Sequence, residues 1–454
     1  MLLSGIGTES IRLKATDTAD FKPDVSIILP CYNEEAVLVD SVKEIVKTMK
    51  GSIYKYELIF IDDCSKDGTR ELIKKTCEEV PNARYIFHEK NVGRGGTVKE
   101  GLLAARAPIA GYLDIDIEVH SRYIPAMIQA INDGADVVCG HRIYHLKLQY
   151  DDLFRGILSF CYRKIVKGQL NVNVKDSEAG YKFFNVETAR RVINLSKNDH
   201  WFWDTEIIAL AGIYGLRISE VPMVFFRRMD KESTVRPIHD SWLYLKEMRE
   251  FKKVYRRGLV YRSPMLYHFF IWGLFRGNFN NRFKTVSDLI PEGASVVDVC
   301  CGDPFLYRKF LKKKNVKYIG LDINPVFIAE ANRQGVDVRF FDLEANERLP
   351  EADYVVMQGS LYQFIPFQDD VIRKMKAAAR KNVIITEVMY SLSGNVNPAL
   401  RWLGEKMTNP GTGPKPLRFD HAKLDAIMSK HDVITKDSTC GGLEMLYVLN
   451  GAND

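Results

Sequence analysis

The feature that most constrains this chain is a repeated alternation of short apolar runs with helix-like, amphipathic segments. The first series starts at Val25 and reads VSIILP, YELIFIDD, RYIFHE, IAGYLDID and ADVVCG. A second series starts near Ala294 and reads ASVVDVCC, VKYIGLDI, VDVRFFD, ADYVVMQG and KNVIITEV. Strands that alternate with helices form largely parallel sheets with helices on both faces. The pattern therefore predicts an α/β protein with two tandem Rossmann-like units joined by helices.

The length of 454 residues is too great for one ordinary core and agrees with two domains. We expect an N-terminal tail over residues 1–24, a first domain over 25–237 and a second domain over 283–454. The segment 238–282 is rich in aromatic and basic residues, and its pattern predicts a helical connector rather than a flexible linker.

Charge and cysteine content narrow the class of protein. The net charge is +6, without a basic run dense enough for a nucleic-acid arm, so no nucleic-acid partner is expected. None of the eight cysteines forms a C-x-x-C pair, which favours reduced thiols in a cytoplasmic protein. The start of the sequence lacks the features of a signal peptide. The most apolar stretch, 264–275, is shorter than the roughly 20 residues that span a bilayer.

Three acids follow one another at alternate positions in GYLDIDIEVH, namely Asp114, Asp116 and Glu118. On an extended strand, Asp114 and Asp116 would share a face, about 6.5 Å apart, and repel by about 2 to 3 kcal/mol at an effective dielectric of about 20. A divalent cation would relieve that repulsion, and oxygen ligands favour Mg²⁺ or Mn²⁺. An EF-hand is excluded because Val119 and Pro125 stand where it needs Gly and Glu. A solvated acidic loop is the alternative.

Polar residues also end the two preceding strands of this series. ILPCYNEE ends in Tyr32, Asn33 and Glu34, and IFIDDCSKDGT brings Asp62 and Asp63. Together with NVGRGGTVKEGLLAA and the D-x-D run, these motifs resemble the family 2 glycosyltransferases of the GT-A fold over about residues 25 to 235. The resemblance implies a metal-dependent, inverting transfer of a hexose from a UDP- or GDP-linked sugar.

The resemblance also implies roles for individual residues. Asp62 or Asp63 would hold the base or ribose, Gly93, Arg94 and Gly95 would face the nucleotide, and Asp114 and Asp116 would bracket the nucleotide and the metal. The nucleotide-sugar site would then consist of Pro30, Tyr32, Glu34, Asp62, Asp63, Arg94 and Asp114.

The order of the downstream motifs is most similar to the polyprenyl-phosphate hexose synthases. In that group, arginines matching Arg142, Arg155 and one of Arg227 or Arg228 are implied to hold the lipid phosphate, with Arg228 our choice. A phosphate oxygen is already anionic and needs no general base, whereas a sugar hydroxyl would need one, for which Asp204 is the candidate. Ordinary surface salt bridges are the alternative for the arginines.

The aromatic and basic connector leaves two alternatives open. Its aromatic residues could lie in the membrane interface, at the cytoplasmic face, and present the active site to a lipid. They could equally form a helical layer packed between the two domains. The residues concerned are Trp242, Tyr244, Phe251, Tyr255, Phe269, Phe270 and Trp272.

In the second series, VVDVCCGDPFL is followed by YIGLDIN, whose Asp322 suits the ribose of a nucleoside cofactor. Only Gly302 of a G-x-G-x-x-G fingerprint is present, so NAD is disfavoured. The spacing resembles class I S-adenosylmethionine-dependent methyltransferases over about residues 280 to 450. It implies that Asp298, Gly302, Asp322 and Asp342 bind the cofactor. Cys300 and Pro304 stand where that family usually has glycine.

Two readings of the whole chain follow. The first is a bifunctional enzyme that transfers a hexose to a polyprenyl phosphate and methylates a small molecule or glycan intermediate. The second is a glycosyltransferase that acts on a sugar hydroxyl in cell-surface polysaccharide synthesis, joined to an inactive, structural methyltransferase-like domain.

Overall fold

The computed structural model describes residues 21–144, 170, 174–226, 237–255, 258–275, 278–344, 348–389, 404 and 417–452. The chain divides into two compact units, residues 1–252 (unit 1) and residues 253–454 (unit 2). Each unit is built on its own seven-stranded sheet, which confirms the predicted pair of α/β units. The predicted connector 238–282 is shared between the two units, since the division falls at Lys252.

The sheet of unit 1 has the order β3-β2-β1-β4-β6-β5-β7. Its strands are parallel except β6, which runs antiparallel to both of its neighbours. The strands are β1 Val25–Cys31, β2 Tyr56–Asp62, β3 Ala83–Phe87, β4 Ile109–Leu113, β5 Val137–Tyr144, β6 Tyr181–Asn185 and β7 Ile218–Phe225.

Helices cover both faces of this sheet, which explains why β1 and β2 are apolar along nearly their whole length. The first helix shows how the pattern works, because Leu38, Val42, Ile45 and Met49 recur at helical spacing and are all buried. The helices are α1 Leu38–Lys50, α2 Thr69–Glu79, α3 Arg94–Ala104, α4 Ile124–Asn132, α5 Val186–Leu195, α6 Trp203–Ile213 and α7 Pro237–Tyr255.

The sheet of unit 2 has the order β10-β9-β8-β11-β12-β14-β13. Its first five strands are parallel, whereas β14 runs antiparallel to β12 and β13. The strands are β8 Ser295–Val299, β9 Lys317–Asp322, β10 Val338–Phe340, β11 Ala352–Gln358, β12 Ala379–Val388, β13 Val433–Thr439 and β14 Glu444–Asn450. The helices of eight or more residues are α8 Pro264–Leu274, α9 Phe279–Asp288, α10 Pro325–Arg333, α11 Gln368–Ala378 and α12 His421–Met428.

Each sheet has a point where the strand order reverses, at β1 and β4 in unit 1 and at β8 and β11 in unit 2. In open α/β sheets, ligands bind at such points, beyond the carboxyl ends of the strands. Of the predicted site residues, Tyr32 and Glu34 follow β1, Asp114 follows β4 and Gly302 follows β8, so these four lie at the ends of the strands where the order reverses. None of the helices in the described part of the chain is long and apolar enough to cross a bilayer.

Candidate active sites

The acids of GYLDIDIEVH do not lie on an extended strand, so the prediction that Asp114 and Asp116 share a strand face is wrong. Strand β4 ends at Leu113, and the backbone then turns, with Ile117 N donating to the carbonyl of Asp114 at 3.2 Å. Ile115 is buried under this turn, and Ile117 has a φ of 47°. The partly buried carboxylate of Asp116 accepts from Glu118 N at 3.3 Å. The turn, not a pleat, therefore sets the positions of both carboxylates.

Arg94 holds the first of these acids. Its Nε and Nη2 donate to Asp114 Oδ1 at 3.1 and 2.7 Å, and its Nη1 pairs with Asp204 Oδ2. The guanidinium carbon lies 5.6 Å from the ring centre of Tyr112 and 5.5 Å from that of Trp201. Burial lowers the pKa of Arg94, but the charges of Asp114 and Asp204 outweigh it and raise the pKa above its ordinary value. Arg94 is therefore a permanent cation that fixes Asp114.

Gly180 makes this ion pair possible. A Cβ at this position would come within 2.0 Å of Asp114 Oδ2 and 2.5 Å of Arg94 Nη2. Any side chain would push the pair apart. The glycine of DSEAGYKFF is thus required for the geometry of the carboxylate turn.

Asp204 is a buried counterion. Its side chain is 3% exposed and accepts from Lys182 Nζ at 2.7 Å and from the Tyr112 hydroxyl, besides pairing with Arg94. Burial raises the pKa of Asp204, but Arg94 and Lys182 together lower it below its ordinary value. A general base needs contact with its substrate. The carboxylate of Asp204 is buried, and its oxygens are engaged by Arg94, Lys182 and Tyr112. These surroundings do not favour the predicted role of Asp204 as a base.

Asp62 ends β2 with one carboxylate oxygen bound and one not. Its Oδ2 accepts from Arg70 Nε at 2.6 Å and from Ser65 N at 3.1 Å. Its Oδ1 is buried and meets no hydrogen-bond donor within the described ranges. A buried acceptor without a donor costs about 1 to 3 kcal/mol. Asp62 Oδ1 is therefore placed to accept a hydrogen bond from a ligand.

The neighbouring Asp63 faces the protein instead. Its Oδ1 accepts from Val92 N at 2.8 Å and from the His88 ring at 2.8 Å, and its Oδ2 accepts from Gly93 N at 2.9 Å. The other ring nitrogen of His88 lies 2.8 Å from Glu100 Oε2. Burial lowers the pKa of His88, but Asp63 and Glu100 outweigh it and raise the pKa to about 9. Both carboxylate oxygens of Asp63 are therefore engaged within the protein. Which of the two acids holds the base or ribose stays a prediction.

The glycines before and within α3 pack closely against the protein on the side where a side chain would lie. That they face the nucleotide stays a prediction. Gly93 has a φ of 92°, and a Cβ there would lie 2.4 Å from the carbonyl oxygen of Asp199. A Cβ on Gly95 would lie 2.5 Å from Cβ of Trp203. Both glycines let the segment before α6 approach α3 closely.

The loop after β1 is bound to the loop after β2. Asn33 N donates to Ser65 Oγ at 2.8 Å, Lys66 N donates to Asn33 Oδ1 at 2.8 Å, and Glu34 N donates to Thr69 Oγ1 at 2.8 Å. Tyr32 is 40% exposed beside this contact. Pro30 lies in β1 opposite Ile61. The predicted nucleoside-site residues Pro30, Tyr32, Glu34 and Asp62 therefore belong to adjacent strand ends and loops.

Of the arginines predicted to hold a phosphate, Arg142 is described. It lies within β5, and its Nε and Nη2 donate to Asp176 Oδ2 and Oδ1 at 2.7 and 3.0 Å. Burial raises the pKa of Asp176, but Arg142 outweighs it and lowers the pKa overall. Arg155, Arg227 and Arg228 lie outside the described residues. The structure thus gives one oriented cation, already paired with a buried acid.

No group of three or more His, Cys, Asp or Glu that could hold a metal occurs in the parts of the chain that the structure describes. Two carboxylates are nevertheless the usual protein contribution where substrate phosphates complete the shell of Mg²⁺. Asp114 fits this role because its side chain is 45% exposed and both bonds from Arg94 end on Oδ1. Oδ2 is the oxygen that a cation would use.

In unit 2, the loop after β8 is tied to the acid that ends β9. Gly302 N donates to Asp322 Oδ2 at 2.8 Å, and Asn324 N donates to Asp322 Oδ1 at 2.7 Å. Cys300 has a φ of 56° and Gly302 a φ of 57°. The positive φ explains why a glycine suits position 300, since a side chain is strained there.

The other acids predicted to bind the cofactor are buried. Asp298 Oδ2 accepts from the Tyr318 hydroxyl at 2.9 Å, and burial, aided by the charge of Asp322, raises the pKa of Asp298 to about 7. Asp342 is 8% exposed, and its Oδ1 accepts from Glu344 N at 3.1 Å. Next to this edge, Gln358 Nε2 at the end of β11 is buried and has no acceptor among the described residues. A donor of this kind can serve a ligand.

Several residues of these sites escaped the sequence analysis. In unit 1, the sequence analysis did not identify the cations that orient the acids. Lys182 could have been identified, because it is the single charged residue in the apolar strand YKFFN. In unit 2, the buried guanidinium of Arg282 lies 2.9 Å from Glu444 Oε1. The residues missed are Arg70, His88, Glu100, Lys182, Arg282 and Glu444.

Comparison with known proteins agrees with this division. Residues 26–193 match the family model "Glycosyl transferase family 2", and residues 280–390 match "Methionine biosynthesis protein MetW". These matches support a family 2 glycosyltransferase domain in unit 1. The description matched by unit 2 names methionine biosynthesis and does not name methyl transfer.

Three relatives of unit 1 illustrate the match. A dolichyl-phosphate beta-glucosyltransferase of Dictyostelium discoideum is 31% identical over 43% of this chain and 64% of its own length. The human protein of that name is 25% identical over 43% of this chain and 65% of its own length. Glycosyltransferase AglD of Haloferax volcanii is 28% identical over 44% of this chain. The chain spans only 32% of AglD and under two thirds of the other two.

Solved structures show similarity to both units. Glucosyl-3-phosphoglycerate synthase of Mycobacterium tuberculosis, in a complex with Mn²⁺, UDP-glucose and phosphoglyceric acid, is 18% identical with a TM-score of 0.37, over 50% of this chain and 77% of that one. A TehB-like SAM-dependent methyltransferase of Corynebacterium glutamicum is 13% identical with a TM-score of 0.28, over 37% of this chain and 86% of that one.

Proposed function

We propose that unit 1 transfers a hexose from a nucleoside diphosphate sugar to a polyprenyl phosphate, with Mg²⁺ or Mn²⁺ at Asp114 and Asp116. The observation that carries the nucleotide part is the buried, donor-less Oδ1 of Asp62 at the carboxyl end of β2. An N–H group of a nucleobase would supply the missing donor. The relatives named dolichyl-phosphate beta-glucosyltransferases support the lipid phosphate acceptor and make nucleotide-linked glucose the first donor to test.

The residues of unit 1 would have separate roles in the transfer reaction. A divalent cation would stabilise the negative charge that develops on the leaving diphosphate. Arg94 orients Asp114, and the turn orients Asp116, so that both carboxylates can face such a cation. Arg142, which is oriented by its ion pair with Asp176, would contribute to holding the acceptor phosphate. The phosphate oxygen attacks the anomeric carbon with inversion and needs no proton acceptor.

The burial of Asp204 favours this acceptor over a sugar hydroxyl. A hydroxyl nucleophile would need a base in contact with it, and Asp204 is committed to Arg94, Lys182 and Tyr112. A polyprenyl phosphate resides in a bilayer, so the proposal places the enzyme at the cytoplasmic face of a membrane as a peripheral protein.

For unit 2, we propose binding of S-adenosylmethionine and methylation of a small molecule or glycan intermediate. The residues fit the cofactor for two reasons. Asp322 lies at the end of β9 beside the Gly302 loop, and the buried Gln358 Nε2 has no acceptor among the described residues, so it could donate to a ligand. Asp322 would accept from the ribose hydroxyls, and Asp342 would lie on the adenine side. The cofactor would supply an electrophilic methyl group.

The test for unit 1 uses the intact chain with labelled nucleotide sugars, Mg²⁺ or Mn²⁺ and polyprenyl phosphate. Label in the organic phase, lost in the Asp116→Ala variant, is the expected result. Asp62→Asn should weaken nucleotide binding by about 10- to 100-fold, since a charge-assisted hydrogen bond is lost. Asp40→Asn, at a side chain 87% exposed on α1, is the matched control. Label found only on soluble saccharides would overturn the lipid acceptor.

The test for unit 2 is calorimetric titration of the intact chain with S-adenosylmethionine. Binding should be weakened in Asp322→Asn and retained in Asp288→Asn, an exposed position on α9. Absence of heat from the unaltered protein would exclude the cofactor and leave unit 2 a structural domain.

A further inference from the structure

Helix α8 in unit 2 carries an apolar surface on its solvent side. Met265, Phe269 and Trp272 are spaced at i, i+4 and i+7, which places them on one helical face, and they are 79, 73 and 57% exposed. Leu266 beside them is 40% exposed. We name these four residues the α8 patch. An exposed apolar face on one helix is typical of interaction sites.

The other side of α8 packs against α10 and against the segment that follows β8. The ring of Tyr267 lies 5.4 Å from that of Phe327, and the ring of His268 lies 5.2 Å from that of Phe305. His268 also pairs with the buried carboxylate of Asp303, which Arg308 holds at 2.5 and 2.6 Å. The helix is thus fixed by its inner face, and its outer face presents the patch as a rigid surface.

The charge around the helix defines the partner. The stretch from residue 251 to residue 287 contains eight lysines and arginines and no aspartate or glutamate, and of the eight, Arg282 is buried against Glu444 and does not contribute to the surface charge. A second copy of the chain would bring an equal density of positive charge to the contact, which opposes self-association through this face. An anionic bilayer meets both requirements, because its hydrocarbon accepts aromatic and aliphatic side chains and its headgroups attract the cations.

We propose that the α8 patch docks the protein onto an anionic lipid bilayer. This inference rests on, and deepens, the proposed function, because it names the surface that would bring the enzyme to a membrane-borne acceptor. Trp272 and Phe269 would enter the interface, while the surrounding Lys and Arg remain at the headgroups. Docking involves no sugar, metal or methyl donor. A test without those compounds therefore distinguishes a failure of docking from a failure of the transfer reaction.

The experiment is flotation of the intact chain with vesicles of phosphatidylcholine containing about 30% phosphatidylglycerol, and with phosphatidylcholine alone. The protein should float with the anionic vesicles and be released by high salt. The triple variant Met265→Ser, Phe269→Ser, Trp272→Ser should bind at least about tenfold more weakly, because three apolar side chains no longer leave water. A double variant at exposed apolar positions elsewhere, Ile53→Ser with Phe367→Ser, is the control and should bind as the unaltered protein does.

Three outcomes would overturn the proposal. The first is absence of flotation with anionic vesicles, and the second is equal loss in the control variant. The third is sedimentation velocity showing a dimer that the triple variant abolishes, with no lipid binding, which would assign the patch to a second copy. Circular dichroism and thermal unfolding of each variant show that its fold is retained, as expected for side chains more than half exposed.

Discussion

The pair of acids around His88 makes the stability of unit 1 depend on pH, and His88→Gln tests this directly. Asp63 and Glu100 lie 2.8 Å from the two ring nitrogens, and the side chain of His88 is 7% exposed. Burial alone would lower the pKa of His88, but the two carboxylates raise it from its ordinary value of 6.5 to about 9. Glutamine fills a similar volume without the charge, so the substitution isolates the electrostatic contribution.

The magnitude follows from the two pKa values. One pKa unit corresponds to about 1.4 kcal/mol, so protonated His88 stabilises the folded state by about 3 kcal/mol. Because the folded pKa lies above the unfolded one, this stabilisation is complete below pH 6.5 and is lost as the pH rises through about 9. The free energy of unfolding of the unaltered protein should therefore exceed that of His88→Gln most at about pH 6 and converge with it by about pH 10.

Urea unfolding of both proteins across this pH range measures the difference. Groups that titrate alike in both cancel, and His421→Gln, at an exposed position on α12, controls for the substitution itself. Glu100→Gln should shift the convergence to lower pH, since His88 then loses one of its acids. A difference between the unaltered protein and His88→Gln that does not vary with pH would refute the reasoning, because it would mean that the pKa of His88 is the same in the folded and the unfolded protein.

Two further predictions concern close approach and buried charge. Gly180→Ala should abolish nucleotide binding, measured by calorimetry, while the protein remains folded, because the added Cβ would lie 2.0 Å from Asp114 Oδ2. Gly212→Ala is the control and should have no effect, because its added Cβ would meet no neighbouring atom within 4 Å. Arg282→Met should lower the free energy of unfolding by about 3 to 5 kcal/mol, because it leaves a buried carboxylate without its cation. Arg333→Met, in an exposed ion pair, is the control and should leave the free energy of unfolding nearly unchanged.

The alternation of apolar runs was sufficient to predict two α/β sheets, because strands buried on both faces have few alternatives. It also located the acids correctly at the strand ends, since polar residues that follow an apolar run belong at a sheet edge. The register of D-I-D-I could not be read in the same way. An alternating pattern is typical of a strand, and only the fold shows that Ile115 is buried beneath a turn and that Ile117 has a positive φ.

The partners of the acids could not be predicted, because they are distant in sequence. Asp114 meets Arg94 from another element, and Asp204 meets Lys182 and Tyr112 across more than 20 residues. A single sequence, read by itself, contains no record of such pairs. Composition showed that cations were plentiful, but their geometry decides which oxygens are engaged.

That geometry explains how unit 1 can gather so many acids near one sheet edge. Unpaired, buried carboxylates would repel one another and raise each other's pKa until some were neutral. Here five of these acids are each paired with a cation that fixes the orientation of the carboxylate, namely Asp62 with Arg70, Asp63 with His88, Asp114 with Arg94, Asp176 with Arg142 and Asp204 with Lys182. The engaged oxygens face the protein, whereas Asp62 Oδ1 and Asp114 Oδ2 are left for a ligand. The selectivity of the site for a nucleotide and a cation would thus be set by the arginines and the histidine as much as by the acids.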